Sequence, residues 1–239
     1  MTLSIRAAER LRALARRGLR LALQALWLGR HRHALDRVSL ERVGGLSLVI
    51  LPGVFNPVIF RSGVLLADAV RAELQRHEVR SVLDLGTGSG IVALTAQREG
   101  GASVTAVDIH GPSVCCARIN AMINGCDHGV DFRQGDLFAP VAGETFDLVT
   151  FNPPFFEGEP TGPLGHAWRA HGMPDRFAQG LQGALSEHGQ ALVVLSTDGV
   201  QQAFLAALEN RGLTCSVARR KRFLNETMTV FRLTQERES

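Results

Sequence analysis

The sequence predicts an α/β fold, a doubly wound sheet flanked by helices, and three observations carry that prediction. Strand-like and helix-like stretches alternate over most of the chain. A short apolar run at residues 81–85 enters a glycine-rich turn, Gly86-Thr87-Gly88-Ser89-Gly90, and then a helical pattern. A second apolar run, residues 146–151, ends in Asn152-Pro153-Pro154-Phe155, where two prolines fix φ and remove two backbone donors, so the chain leaves the strand in a stiff turn. With 239 residues, 45% hydrophobic and 21% charged, the chain has room for one such domain and a small appendage, not for a second full domain.

Taken in order, residues 1–37 form a basic helical extension. Leu11, Leu14, Gly18, Leu21, Ala25 and Leu28 recur at spacings of three and four, the stripe of an amphipathic helix. Residues 1–42 hold ten arginines against Glu9, Asp36 and Glu41, a net +7 that leaves −4 for the rest of a chain whose total is +3. Such a helix packs on the domain with a solvated basic face, contacts RNA, a ribosome or an acidic protein, or serves as a targeting peptide. Lys221 is the one lysine beside twenty-five arginines, so arginine usage is also chain-wide.

Residues 38–60 read as a hairpin and linking turn: two β-prone runs, 38–43 and 46–51, flank Gly44-Gly45, and Leu51 to Pro57 turns the chain. In the third segment, residues 61–239, Ser62 is placed to cap a helix carrying Val64, Leu65, Ala69, Val70 and Leu74. Further strands are expected at 103–107, 130–134, 146–151, 191–196, 213–218 and 227–233, and helices at 112–124, 175–187 and 198–211. Residues 157–174, rich in Gly and Pro, read as a loop.

The two turns carry the chemistry. A glycine loop suits a dinucleotide or a nucleoside, and Asp108, after the 103–107 strand, is where either would offer ribose hydroxyls. The glycines are spaced G-x-G-x-G rather than G-x-G-x-x-G, and Asp84 precedes them; its carboxylate repels a pyrophosphate and favours the ammonium of a methionine moiety. Asn152 adds a side-chain carbonyl, Pro153 a backbone carbonyl and Phe155 a flat face, together an accepting rim for a planar amino group. Cys115, Cys116, Cys126 and Cys215 lack C-x-x-C or zinc spacing, so reduced cysteines, no metal and a cytoplasmic place are expected. Neither an eighteen-residue apolar run nor a signal-peptide pattern is present, so no membrane association is expected.

Together the motifs D-L-G-T-G-S-G and F-N-P-P-F resemble those of class I S-adenosylmethionine-dependent methyltransferases, the amino-methylating kind with N-P-P-[YF], over roughly Pro52 to Leu233. The resemblance implies a Rossmann-like seven-stranded sheet with its last strand inserted antiparallel, and S-adenosylmethionine as cofactor, leaving as S-adenosylhomocysteine. It places Asp84, Gly86, Thr87, Gly88 and Gly90 at the methionine end, Asp108 and Ile109 at the ribose, and Asp136 with Leu137 at the adenine, and counts Asn152 among the cofactor contacts too. It makes Asn152, Pro153, Pro154 and Phe155 the catalytic turn, with Phe156, His166, Trp168 and His171 as substrate-loop candidates. The order of extension, hairpin, turn and catalytic domain resembles the HemK/PrmC family, which methylates a glutamine amide of release factors, while L-P-G-V-F resembles the RsmC-type ribosomal RNA guanine methyltransferases. Asn56 to Arg61 stands where the first family has an acidic P-R-x-x-[TS]-E stretch. Phe156 stands where the second often has histidine, and this chain lacks the second family's duplicated N-terminal domain. The expected acceptor is therefore a protein glutamine, release-factor-like. Alternatives are an RNA or DNA base, a small-molecule amine, or a non-catalytic cofactor- or RNA-binding role.

Overall fold

Residues 36–100, 102–153, 172–197, 201–223 and 226–235 are described by a computed structural model of the chain. The expected basic helix lies outside them, and Val38–Ser239 forms one compact unit. Its central sheet contains β3 (Ser81–Leu85), β4 (Ser103–Asp108), β5 (Val130–Gln134), β6 (Phe146–Phe151), β7 (Leu185–Ser196), β8 (Leu213–Arg222) and β9 (Thr227–Gln235). These seven strands are hydrogen-bonded in the order β5-β4-β3-β6-β7-β9-β8. Neighbours are parallel from β5 to β7, whereas β9 runs antiparallel to both β7 and β8, the insertion that the resemblance implied.

Side chains alternate across the sheet into two cores. Val82, Leu148, Leu192 and Val194 face one core, which is shared with α2 (Ser62–Leu74), α3 (Ile91–Gly100) and α4 (Gly111–Ile123). Leu83, Leu85, Val149, Phe151 and Val193 face the other, shared with α5 (Met173–Ala184) and α6 (Gln201–Glu209). Burial on both faces explains why these strands read as nearly unbroken apolar runs. No helix among the described residues is long and apolar enough to cross a membrane.

The hairpin of β1 (Ser39–Val43) and β2 (Leu46–Ile50) turns at Gly44 and Gly45, both at positive φ, and buries Leu46, Leu48 and Ile50 in the first core. The outward edge of β2 is satisfied by side chains of α4 instead of a strand. Asn120 donates to the carbonyls of Val49 and Ser89, each at 2.9 Å, and accepts from the Val49 amide at 2.7 Å. One turn on, Asn124 accepts from the Ser47 amide at 3.1 Å and donates to the Ser47 carbonyl at 2.8 Å. Four helical residues rise about 6 Å, close to the rise of about 6.6 Å for two strand residues, so asparagines at i and i+4 match a strand edge.

Three expectations need correction. Ser62 does not cap α2: Arg61, at φ +61, holds the cap position without a side-chain bond, and the Ser62 hydroxyl is buried without a partner. Capping occurs upstream at the short helix α1 (Pro57–Phe60), where Asn56 Oδ1 accepts from the amides of Val58 and Ile59 and Pro57 opens the first turn. The helix expected to reach residue 187 stops at Ala184, because Leu185 turns extended and pairs with Phe146; a bulge follows before Gln190 meets Leu148. The strand expected to end at residue 218 continues to Arg222 on its antiparallel partner.

Asn120 is fully buried, so Asn120→Ala is expected to lower unfolding free energy by about 2–4 kcal/mol through the stranded Val49 and Ser89 groups. Urea denaturation checks this, and a loss below about 1 kcal/mol would show that the hairpin is held otherwise.

Candidate functional site

From β3 the chain winds outward through β4 and β5, then returns to β6 on the other flank of β3. At this switch point the strand ends diverge and leave a crevice at their carboxyl edge, the usual ligand position in open α/β sheets. Leu85 lies opposite Phe151, so the glycine loop and Asn152 emerge side by side. Gly86 takes φ +65, and a Cβ there would stand 3.9 Å from the Asn152 carbonyl and 3.7 Å from the Phe151 ring. The loop is fastened by the Thr87 amide donating to the Val107 carbonyl at 3.0 Å and the Gly90 amide donating to the Thr87 carbonyl at 2.8 Å.

One pocket gathers Asp84, Gly86, Thr87, Gly88, Asp108, Ile109, Asp136, Leu137, Asn152 and Pro153, ten of the positions picked out in the sequence. Gly90 is absent from its wall. It lies at φ +83 against α4, where a Cβ would meet the Ala117 Cβ at 3.1 Å, so its place is set by helix packing. Pro154, Phe155, Phe156, His166, Trp168 and His171 lie outside the described residues. Phe55, Pro57, Gly63, His110, Ser113 and Met173 line the pocket without having been identified from the sequence. The L-P-G-V-F stretch was the available signal for Phe55, whereas nothing local marks His110 or Met173.

Several polar groups of the pocket are buried and short of partners. Asp84 is 2% exposed; its Oδ1 accepts from the Thr150 hydroxyl at 2.7 Å, and its Oδ2 has no partner. Burial pushes its carboxyl up to about 6, held back by the Thr150 hydrogen bond. Asn152 Oδ1 is likewise buried without a partner, and the Thr87 hydroxyl lies beside the Asp84 carboxyl and helps to hold its pKa down. Asp108, raised by burial above the usual carboxylate range, accepts from the His110 amide at Oδ1 and the Gly88 amide at Oδ2, each at 2.9 Å. Asp136 is ion-paired with Arg176 of α5, and Leu137 takes the left-handed φ of +46, unusual for a leucine.

The family model for the methyltransferase small domain matches residues 45–223. The chain is similar to the ribosomal protein uL3 glutamine methyltransferase of Bradyrhizobium diazoefficiens, 41% identical over 93 residues, which are 38% of this chain and 29% of that protein. It is also similar to the release factor glutamine methyltransferase of Xylella fastidiosa, 40% identical over 91 residues, covering 38% of this chain and 33% of the relative. The chain thus spans about a third of the length of these curated relatives. Among solved structures, the Thermus thermophilus 16S rRNA N2 G1207 methyltransferase RsmC, in complex with AdoMet and guanosine, superposes with TM-score 0.63 at 22% identity, covering 84% of this chain and 50% of that one. That likeness shows the fold.

The raised Asp84 pKa has a stability consequence of definite sign. Between about pH 4 and about 6 the unfolded chain has released this proton and the folded chain retains it, so ligand-free stability falls as pH rises through that window and is level above it. Asp84→Asn should remove that component of the fall, at most about 3 kcal/mol. Urea midpoints measured across the window would overturn the assignment if both proteins showed the same slope.

Proposed function

The chain belongs to the methyltransferase small domain family, and from that premise we propose that it transfers a methyl group from S-adenosylmethionine to the nitrogen of a planar amide or exocyclic amine on a macromolecule. One observation carries the reading: buried oxygens of Asp84 and Asn152 that lack partners line one pocket, with the Thr87 hydroxyl beside Asp84, at the switch point of the sheet. The residues suit this cofactor, which brings an ammonium, ribose hydroxyls and an adenine amine, donors for a pocket rich in acceptors.

Asp84 and the backbone of Gly86 to Gly88 are assigned to the methionine end, Asp108 with Ile109 to the ribose, and Asp136 with Leu137 to the adenine. When bound, S-adenosylmethionine supplies an electrophilic methyl group on a sulfonium. The chain supplies placement. An sp²-attached nitrogen donates poorly because its lone pair is delocalised. Asn152 Oδ1 and the Pro153 carbonyl accept its two N–H bonds, turn the lone pair out and favour the positive charge that develops on nitrogen, which is discharged when one of those protons leaves to solvent. Phe155 is assigned to hold the acceptor plane.

A glutamine side chain and the exocyclic amine of a base present this same planar group. The glutamine methyltransferase names of the two relatives support a protein acceptor first, with a release factor or ribosomal protein as partner. The guanosine in the RsmC complex supports an RNA base second. Labelled methyl from S-adenosylmethionine, given to an extract of cells lacking the gene and then separated into protein and RNA, distinguishes them. Label in neither fraction would end the macromolecular reading.

Two outcomes are expected of variants. Asn152→Ala should lower turnover about 10²–10³-fold while the cofactor Kd changes by less than about threefold, because its contact strengthens in the transition state. An equal loss of cofactor binding in calorimetry would remove it from that role. Because a cation is held by ionised Asp84, cofactor affinity should fall towards tenfold per pH unit below about 6 and lose this component in Asp84→Asn. A pH-independent Kd in the native chain would refute the ammonium site.

A further inference from the structure

The segment between the hairpin and α2 has two sides. Pro57 and Gly63 line the pocket already described, whereas Val58, Arg61 and Val64 line a second groove. Cations enter that groove from three separated places: Arg42 on β1, Arg61 at the junction of α1 and α2, and Arg219, Arg220 and Lys221 on β8. The groove's one carboxylate, Asp68, is shared between Arg71 at 3.3 Å and Arg219 at 3.5 Å. Among the described residues no carboxylate pairs with Arg42, Arg61 or Lys221.

Phe223 organises part of this charge. The Arg61 guanidinium lies over its ring at 5.2 Å from the centroid, and Lys221 Nζ over it at 5.6 Å. Arg61 reaches that position with a left-handed backbone, its amide donating to the Pro57 carbonyl at 2.9 Å. A charged edge strand guards a sheet against pairing with other chains, which accounts for the cations of β8. It does not account for Arg42 and Arg61, which stand on other elements and converge on the same groove. Like charges brought together repel, and an anion in the groove relieves the repulsion.

Guanidinium groups fit phosphate through paired N–H donors. Cations from three elements that line one groove can follow a single phosphodiester backbone, and RNA is the polynucleotide that presents unpaired strands in loops and ends. We propose that this groove binds the phosphodiester backbone of single-stranded RNA. The proposal goes beyond methyl transfer and does not depend on it.

The test is fluorescence anisotropy of the full chain with a labelled mixed-sequence single-stranded RNA across a salt series. The same DNA sequence and a polyglutamate peptide serve as competitors. The variant combines Arg42→Ala, Arg61→Gly and Lys221→Ala, glycine being chosen because it keeps the left-handed backbone. Loss of three phosphate contacts should lower the slope of log affinity against log salt by about 2 and weaken RNA binding about tenfold or more at low salt. S-adenosylmethionine binding that is unchanged from the native chain would show that the variant is folded. Photo-crosslinks are expected within residues 219–223. An unchanged slope and affinity in the folded variant, tighter binding of DNA or polyglutamate than of RNA, or crosslinks confined to residues 1–37 would each overturn the proposal. Should neither protein bind S-adenosylmethionine while the RNA contrast holds in variants of native circular dichroism, the methyl-transfer reading fails and the groove assignment stands.

Discussion

The register of β3 against β6 is the constraint on which the rest depends. Val82 opposes Leu148, Asp84 opposes Thr150 and Leu85 opposes Phe151. Because side chains alternate faces, a slip of one residue would turn Asp84 into the core built around Phe177 and Phe204 and send Leu83 the other way. The hydrogen bond from Thr150 to Asp84 can form only in the observed register, so a buried polar pair specifies the alignment as well as the charge state of the pocket. The same alignment delivers two loops of quite different chemistry to one crevice.

A second dependence runs through α4. Asn120 ties the hairpin to the Ser89 carbonyl of the glycine loop, and Gly90 lets the same helix approach closely enough for that bond to form. Loops that hold ligands are often drawn from the less stable parts of a protein. Here the loop shares its anchor with the hydrophobic core, so rigidity of the site and stability of the fold rest partly on one side chain. The hairpin, which in sequence looks like a mere connection, also brings the adjoining Gly53 and Phe55 to the pocket wall.

Much of this was legible because it is local. Glycine spacing, paired prolines and apolar runs act over a few residues, and they identified the two loops and the alternation around them. What depends on tertiary pairing was not. Leu185 carries no mark that distinguishes the end of a helix from the start of a strand, and Phe146 decides it. Ser62 and Asn56 are both good capping residues, and the left-handed backbone of Arg61 decides between them. Arg219, Arg220 and Lys221 are consecutive in sequence, yet nothing local marks their meeting with Arg42 and Arg61. Asp84 was legible as an acid beside glycines, but its raised pKa comes from strands packed on both sides.

The inserted strand β9 has a consequence for the order in which the sheet is made. β8 touches the sheet only through β9, and β9 follows it in the chain. Until β9 is in place, β7 is an open edge whose Ala191, Leu192, Val193, Val194 and Leu195 are all destined for burial. The parallel strands β3 to β6 can assemble earlier, but the sheet is completed by pairing that waits on late-made residues, a topology that slows folding and prolongs exposure of an aggregation-prone edge. During synthesis Glu187 within β7 and Asp198 just beyond it are the charges nearest in sequence to that unfinished edge, and the cations of β8 follow only later.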